Sequence, residues 1–219
     1  MIEQVEDLGA KPYALSLHTT TPSLGLAISD FNSESRVHTW DLGRDLSSYI
    51  HQYLVEFIKP HTWEELGFIA VAKGPGGFTG TRIGLVIART LGQQLNIPVF
   101  TISTLAALAW AKKPQNQQKS GVIAVEMPAQ RGKVFGGIYE PSPDQSSIRA
   151  LLPDTVFTPE TWQETLANWQ SEYKLIKATS NLAITVGSIL ELAYLDWQEG
   201  KHPHWFDAQP YYGQHPVGN

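Results

Sequence analysis

A chain of 219 residues, 42% hydrophobic and 17% charged, carries enough apolar mass for one large α/β domain or two small ones, and its composition excludes wholesale disorder. A formal net charge of −5 argues against tight, autonomous nucleic-acid binding, which draws on a basic face. The absence of cysteine excludes disulfide frameworks, zinc knuckles and thiol nucleophiles.

The amino end, residues 1–11, holds Glu3, Glu6 and Asp7 without an apolar run and reads as neither a secretory nor a transit signal. No apolar stretch approaches the roughly 20 residues a membrane helix needs, so the expectation is a soluble, cytoplasmic protein. Residues 13–17 read as a short strand, 19–23 as a turn rich in Thr, Pro and Ser, and 24–28 as a second strand. A turn at 30–34 leads to a third strand over 36–42, which completes a meander. Leu46, Ile50, Leu54 and Ile58 recur four apart and predict a helix over 45–59, ended by Pro60. Residues 67–73 are continuously apolar, as a central strand covered on both faces would be.

A glycine-rich loop and a long helix follow, then a strand over 97–102 and a helix over 104–113 with Ser103 as its N-cap. Three meandering strands followed by two strand–helix crossovers give the element order of a ribonuclease H-like, or actin-like, half. The polar run 114–120 reads as a linker between a first subdomain, 12–113, and a smaller second one, 121–205. Within the latter, 122–125 and 134–139 read as strands, Thr158-Pro159 starts a helix that leads to Trp169, and 175–178 form a further strand. Asn181 is placed as the cap of a helix running to Gln198, and the tail, 206–219, reads as extended.

The loop Lys73-Gly74-Pro75-Gly76-Gly77-Phe78-Thr79-Gly80-Thr81-Arg82 joins the buried strand to the long helix. Its glycines permit positive φ and close backbone approach, and Thr79 or Thr81 is placed as the helix cap. Unsatisfied N–H groups at the positive end of a helix dipole form an anion site, which makes Gly74, Gly76, Gly77, Thr79 and Gly80 candidates for phosphate or nucleotide contact. No Gly-Lys-Ser/Thr follows, so the loop is not a Walker A motif. The competing reading is a tight turn that lets the helix pack closely on its strand.

On a helical projection Ile83, Ile87, Leu91 and Leu95 form one row, with the small residues Gly80, Gly84 and Ala88 beside it and Gly92 further round. The combined arc is roughly 200° wide, where covering one sheet requires about 100°. Helical glycines cost nearly 1 kcal/mol each relative to alanine, which close approach of a second helix would offset. That neighbour is either the helix over 45–59 or a helix of another protein.

These residues carry a family resemblance. Residues 72–92, continuing through Pro98 to Leu105, resemble the TsaB (YeaZ-like) family of bacterial proteins for threonylcarbamoyladenosine synthesis on tRNA. Residues 13–28, Gln130-Arg131-Gly132-Lys133-Val134 and Gln209-Pro210-Tyr211-Tyr212 are similar to the family's first hairpin, second-domain turn and carboxyl-terminal element. The resemblance implies an actin-like fold of two subdomains, the second reduced, and a non-catalytic role beside the catalytic paralogue TsaD. Pairing through the helices over 45–59 and 79–95 assigns Ile50, Leu54, Ile83, Gly84, Ile87, Ala88 and Leu91 to the partner interface; on that reading Ala88→Trp blocks association and leaves the isolated fold intact. A TsaE-like ATPase joins the pair and tRNA is met only indirectly. A homodimer without TsaD, and ATP or ADP at the partner junction, stay open.

The chain departs from the family pattern where His18 stands at the end of the first strand in place of Asp, and where Pro128-Ala129-Gln130 replaces Asp-Ala-Arg. Carboxylates at such positions hold Mg²⁺ in actin-like kinases, and their loss weakens any autonomous nucleotide chemistry. Gln214 replaces a terminal Arg. No two histidines are four apart, Glu64 and Glu65 point different ways on a helix, and no Gly-x-Ser-x-Gly elbow is present, so neither a metal site, a carboxylate pair nor a hydrolase triad is expected. Two functions remain: a partner subunit without cofactor or catalytic residue, or a stand-alone actin-like ATPase or phosphotransferase.

Overall fold

A computed structural model describes residues 11–114, 121–144 and 146–213. The expected linker apart from Pro114, the amino-terminal tail apart from Lys11, and the end of the carboxyl tail with Gln214 lie outside the described residues.

The strands β1 (Tyr13–His18), β2 (Ser23–Ser29) and β3 (Ser35–Asp41) form the expected antiparallel meander. The helix α1 (Leu46–Ile58) then leads into β4 (Leu66–Ala72), which is buried at every position because helices cover both of its faces. The long helix α2 (Phe78–Leu95) returns the chain to β5 (Val99–Ile102), and the first sheet has the order β3-β2-β1-β4-β5, with β4 and β5 parallel to β1. That order is the ribonuclease H-like arrangement the element sequence predicts, and the fold is α/β and actin-like. On one face of this sheet Leu15, Leu17 and Val71 pack in one cluster with Ile50 and Leu54 of α1 and Leu85 and Ile87 of α2.

The helix α3 (Thr104–Ala111) lies on the opposite face, and Ser103 Oγ accepts from the N–H groups of Leu105 and Ala106 at 3.1 Å, as a cap should. The second sheet is built from β6 (Val122–Pro128), β7 (Val134–Pro141), β8 (Ile148–Phe157) and, beyond α4 (Pro159–Ala167), β9 (Tyr173–Lys177), in the order β8-β7-β6-β9. Thr158 caps α4 and Pro159 occupies its first turn. The ten-residue strand β8 is absent from the sequence reading; it is an edge strand interrupted by Pro153, with no regular alternation of burial to announce it.

Three local expectations are corrected. Neither Thr79 nor Thr81 caps α2: Gly77 is the N-cap and Thr81 Oγ1 donates back to its carbonyl at 2.8 Å. Asn181 makes no side-chain cap, and a 3-10 turn, Leu182–Thr185, precedes the last helix α5 (Val186–Gln198). Grouped with the second subdomain by sequence, α5 instead packs on the first sheet, where Val186, Ile189 and Leu190 meet Ala14, Ala27 and Phe68 and Ser16 Oγ donates to the Val186 carbonyl at 2.9 Å.

Candidate functional site

The long helix organises two different surfaces. Its small residues face inward. A Cβ at Gly80 would stand 2.1 Å from the Thr19 carbonyl oxygen, one at Gly84 would stand 2.2 Å from Thr19 Oγ1, and one at Gly92 would stand 2.4 Å from Val99. Thr19 Oγ1 also donates to the Gly80 carbonyl at 2.8 Å, and Ala88 is fully buried in the core. The expectation that Gly84 and Ala88 meet a partner is therefore corrected: Gly80 and Gly84 admit the chain's own β1–β2 turn and Gly92 admits Val99, and those contacts offset their helical cost.

The outward side of α2 forms a groove with α1 of about 510 Å³, whose lining includes Ile83, Val86, Ile87, Leu91, Ile50, Leu54 and Val55. Ile50, Leu54 and Ile87 form its buried floor and Ile83 and Leu91 its half-buried walls. Val86 is 62% exposed and Val55 is 50% exposed, and sequence reasoning missed both. The spacing of three from Ile83 to Val86 was available as a signal, but it lies off the row through Ile87 and Leu91. Arg82, Ser47, His51 and Thr90 give the groove a polar rim. An open apolar trough with a polar border is the form of a protein-docking surface.

The glycine loop is occupied by its own chain. A Cβ at Gly76 would stand 2.4 Å from the Thr20 carbonyl oxygen, which accepts from Gly77 N–H at 2.7 Å. Gly74 has φ +101° and lies under the Tyr211 carbonyl, 2.5 Å from where a Cβ would be. Close packing is thus what these glycines serve. Gly76, Gly77, Thr79 and Gly80 border a crevice of about 880 Å³ between the two sheets, whereas Gly74 does not reach it. The crevice is lined on its far side by Met127, Pro128, Ala129 and Gln130, and its one charged lining residue among those described is Arg44. The Mg²⁺-nucleotide that actin-like kinases hold in this place does not fit these residues: among the described residues no carboxylate lines the crevice, and Thr20 fills the cradle at Gly76.

His18 is fully buried and makes no hydrogen bond to another described residue, and burial pushes its imidazole down to about 3, so it is neutral. Among the described residues no group of three His, Asp or Glu side chains could hold a metal, and no helix is long and apolar enough to cross a membrane. His204 Nδ1 accepts from Phe206 N–H and His202 lies against Trp197, so that pair is spent on local contacts. Glu65 accepts from Thr62 N–H at 2.7 Å in a capping box, and Trp162 and Trp169 belong to the core under the second sheet.

The sequence model of a family described as "TsaD: tRNA N6-adenosine threonylcarbamoyltransferase" matches residues 46–185, more than half of the chain. The chain belongs to this family. Within it the chain is TsaB/YeaZ-like. It is 35% identical over 103 residues to the tRNA threonylcarbamoyladenosine biosynthesis protein TsaB of Bacillus subtilis (strain 168), a match covering 47% of this chain and 42% of that one. It is 44% identical over 78 residues to the TsaB of Buchnera aphidicola subsp. Schizaphis graminum (strain Sg), covering 36% of each. These matches span less than half the length of either relative. A solved structure of YeaZ from Pseudomonas aeruginosa superposes with a TM-score of 0.73 at 21% identity, covering 91% of this TsaB/YeaZ-like chain and 99% of that one, which shows the shared fold.

Proposed function

We propose that this chain is a non-catalytic subunit that binds and stabilises a TsaD-like catalytic paralogue in threonylcarbamoyladenosine modification of tRNA. The groove between α1 and α2 carries this reading. Ile83, Val86, Leu91 and Val55 present a continuous apolar strip that a helix of a related fold can fill, ridge into groove. Each Å² of apolar surface removed from water there contributes about 25 cal/mol. The names of the TsaB relatives place those proteins in threonylcarbamoyladenosine biosynthesis, which supplies the pathway. The crevice supports the non-catalytic part, since among the described residues its lining offers no carboxylate to hold Mg²⁺ or to act as a base. A TsaE-like ATPase then joins the pair, and this subunit meets the tRNA only indirectly.

The test is co-purification with a bacterial TsaD, followed by a threonylcarbamoylation assay with and without this chain. Wild type is expected to co-elute with TsaD and to raise modification. Val86→Asp places a charge in the trough and is expected to weaken association at least about tenfold, or about 1.4 kcal/mol. Undiminished binding by that variant would count against the groove. Metal-dependent ATP turnover by the chain alone would overturn the non-catalytic assignment.

A further inference from the structure

The segment after α5 crosses from the first sheet to the second. The Pro203 carbonyl accepts from Val99 N–H at 3.2 Å, Trp205 lies against the position a Cβ would take at Gly92, and Ala208 is buried in the core beneath α2. Tyr211 N–H then donates to the Lys73 carbonyl at 2.7 Å, and Gly213 approaches Phe135 and Val156 on the second sheet.

Two consecutive tyrosines anchor this strap in different places. Tyr211 Oη–H donates to the main-chain carbonyl of Asp154 on β8. Asp154 is itself a bridge: its carboxylate accepts from Ser103 Oγ at 2.6 Å, at the N-terminus of α3 in the first lobe, and from the Tyr139 hydroxyl in the second. These groups satisfy one another, so the cluster reads as a brace between lobes. Tyr212 Oη accepts from Arg82 Nε at 2.7 Å, while its ring lies 4.7 Å from Phe78, and the Arg82 guanidinium stands 4.4 Å over the Phe78 ring. Arg82 also lines the α1–α2 groove.

We propose that Tyr211 and Tyr212 form a clasp through which an occupant of the α1–α2 groove, by engaging Arg82, controls how far the two lobes separate. An acceptor oxygen brought by the occupant competes with the Tyr212 hydroxyl for Arg82. With Tyr212 released, Tyr211 is held only by its own bonds, and the population shifts toward an opened crevice. The control step rests on the docking role of the groove; the clasp itself does not.

The chain lacks cysteine, so Ser48→Cys on α1 and Lys133→Cys between β6 and β7 can carry spin labels on the full chain, one on each lobe. The wild-type background is expected to give one narrow distance distribution. Tyr212→Ala and Tyr211→Ala are expected to broaden it and move it to longer distance, with Tyr212→Phe, which keeps the ring, in between. Saturation of the wild type with purified TsaD is expected to reproduce the Tyr212→Ala distribution. Superimposable distributions for wild type and both alanine variants would overturn the clasp. Binding of TsaD without a change in distance would overturn the control step alone. Failure of TsaD to bind would remove the docking role and the control step together, leaving the tyrosine variants to decide the clasp.

Discussion

On its inner face α2 offers Gly80, Gly84, Ala88 and Gly92 to the chain's own packed interior, and on its outer face it offers Ile83, Val86 and Leu91 to an open groove. In a projection the two sets merge into one wide apolar arc. They differ in what they tolerate. The inner face is defined by contacts shorter than any side chain allows, with Thr19 seated where a Cβ would be. The outer face is defined by branched side chains left partly in water, Ile83 and Leu91 half-buried and Val86 exposed. Small residues on this helix therefore mark the close approach of the chain's own segments, and exposed β-branched residues mark the surface left for another molecule.

Substitutions can break or sharpen that contrast. Ala88→Trp overfills a fully buried site and is expected to cost about 3 kcal/mol or more in urea unfolding. A loss under about 1 kcal/mol would return Ala88 to the outer face. Gly76→Ala is expected to cost about 1–3 kcal/mol, because the methyl would press on the Thr20 carbonyl. Unchanged stability with a lowered affinity for ATP would instead make the loop a phosphate cradle. His18 extends the inner, packed region and answers to pH. Its folded value of about 3 lies below the ordinary 6.5, so the unfolded chain binds the extra proton between them. The stabilisation is complete above about pH 6.5 and falls by up to about 1.4 kcal/mol per pH unit as pH drops toward 3. Urea midpoints through this range should decline more steeply for wild type than for His18→Leu, and equal slopes would mean that His18 is protonated in place. Val86→Asp is expected to change stability by less than about 0.5 kcal/mol, since the side chain is already in water. A larger loss would mean that the outer face also serves the fold.

The first lobe was largely legible from sequence. The meander, the continuously apolar β4 and the fourfold recurrence of Leu46, Ile50, Leu54 and Ile58 each announce their element, because burial on one or two faces imposes a period. The second lobe was less so. Strand β8 has half-buried residues on both faces and a proline within it, so neither alternation nor a continuous apolar run marks it. The glycine loop was recognised and close packing was one of the two purposes read for it, but the segments that pack there were not. Nothing local in Gly74 to Gly80 says that Thr20 and Tyr211, remote in the chain, fill the space their missing side chains leave.

Sequence by itself determined the element order of the first lobe, the actin-like class and that the long helix carries a wider apolar arc than its own sheet requires, since periodicity and turn chemistry act over a few residues. Only the tertiary structure decided which side of α2 faces water, that α5 returns to the first sheet, and that Tyr211 and Tyr212 tie the groove to the second lobe. Those outcomes depend on contacts between residues far apart in the chain, and no local pattern encodes the direction from which a distant segment arrives.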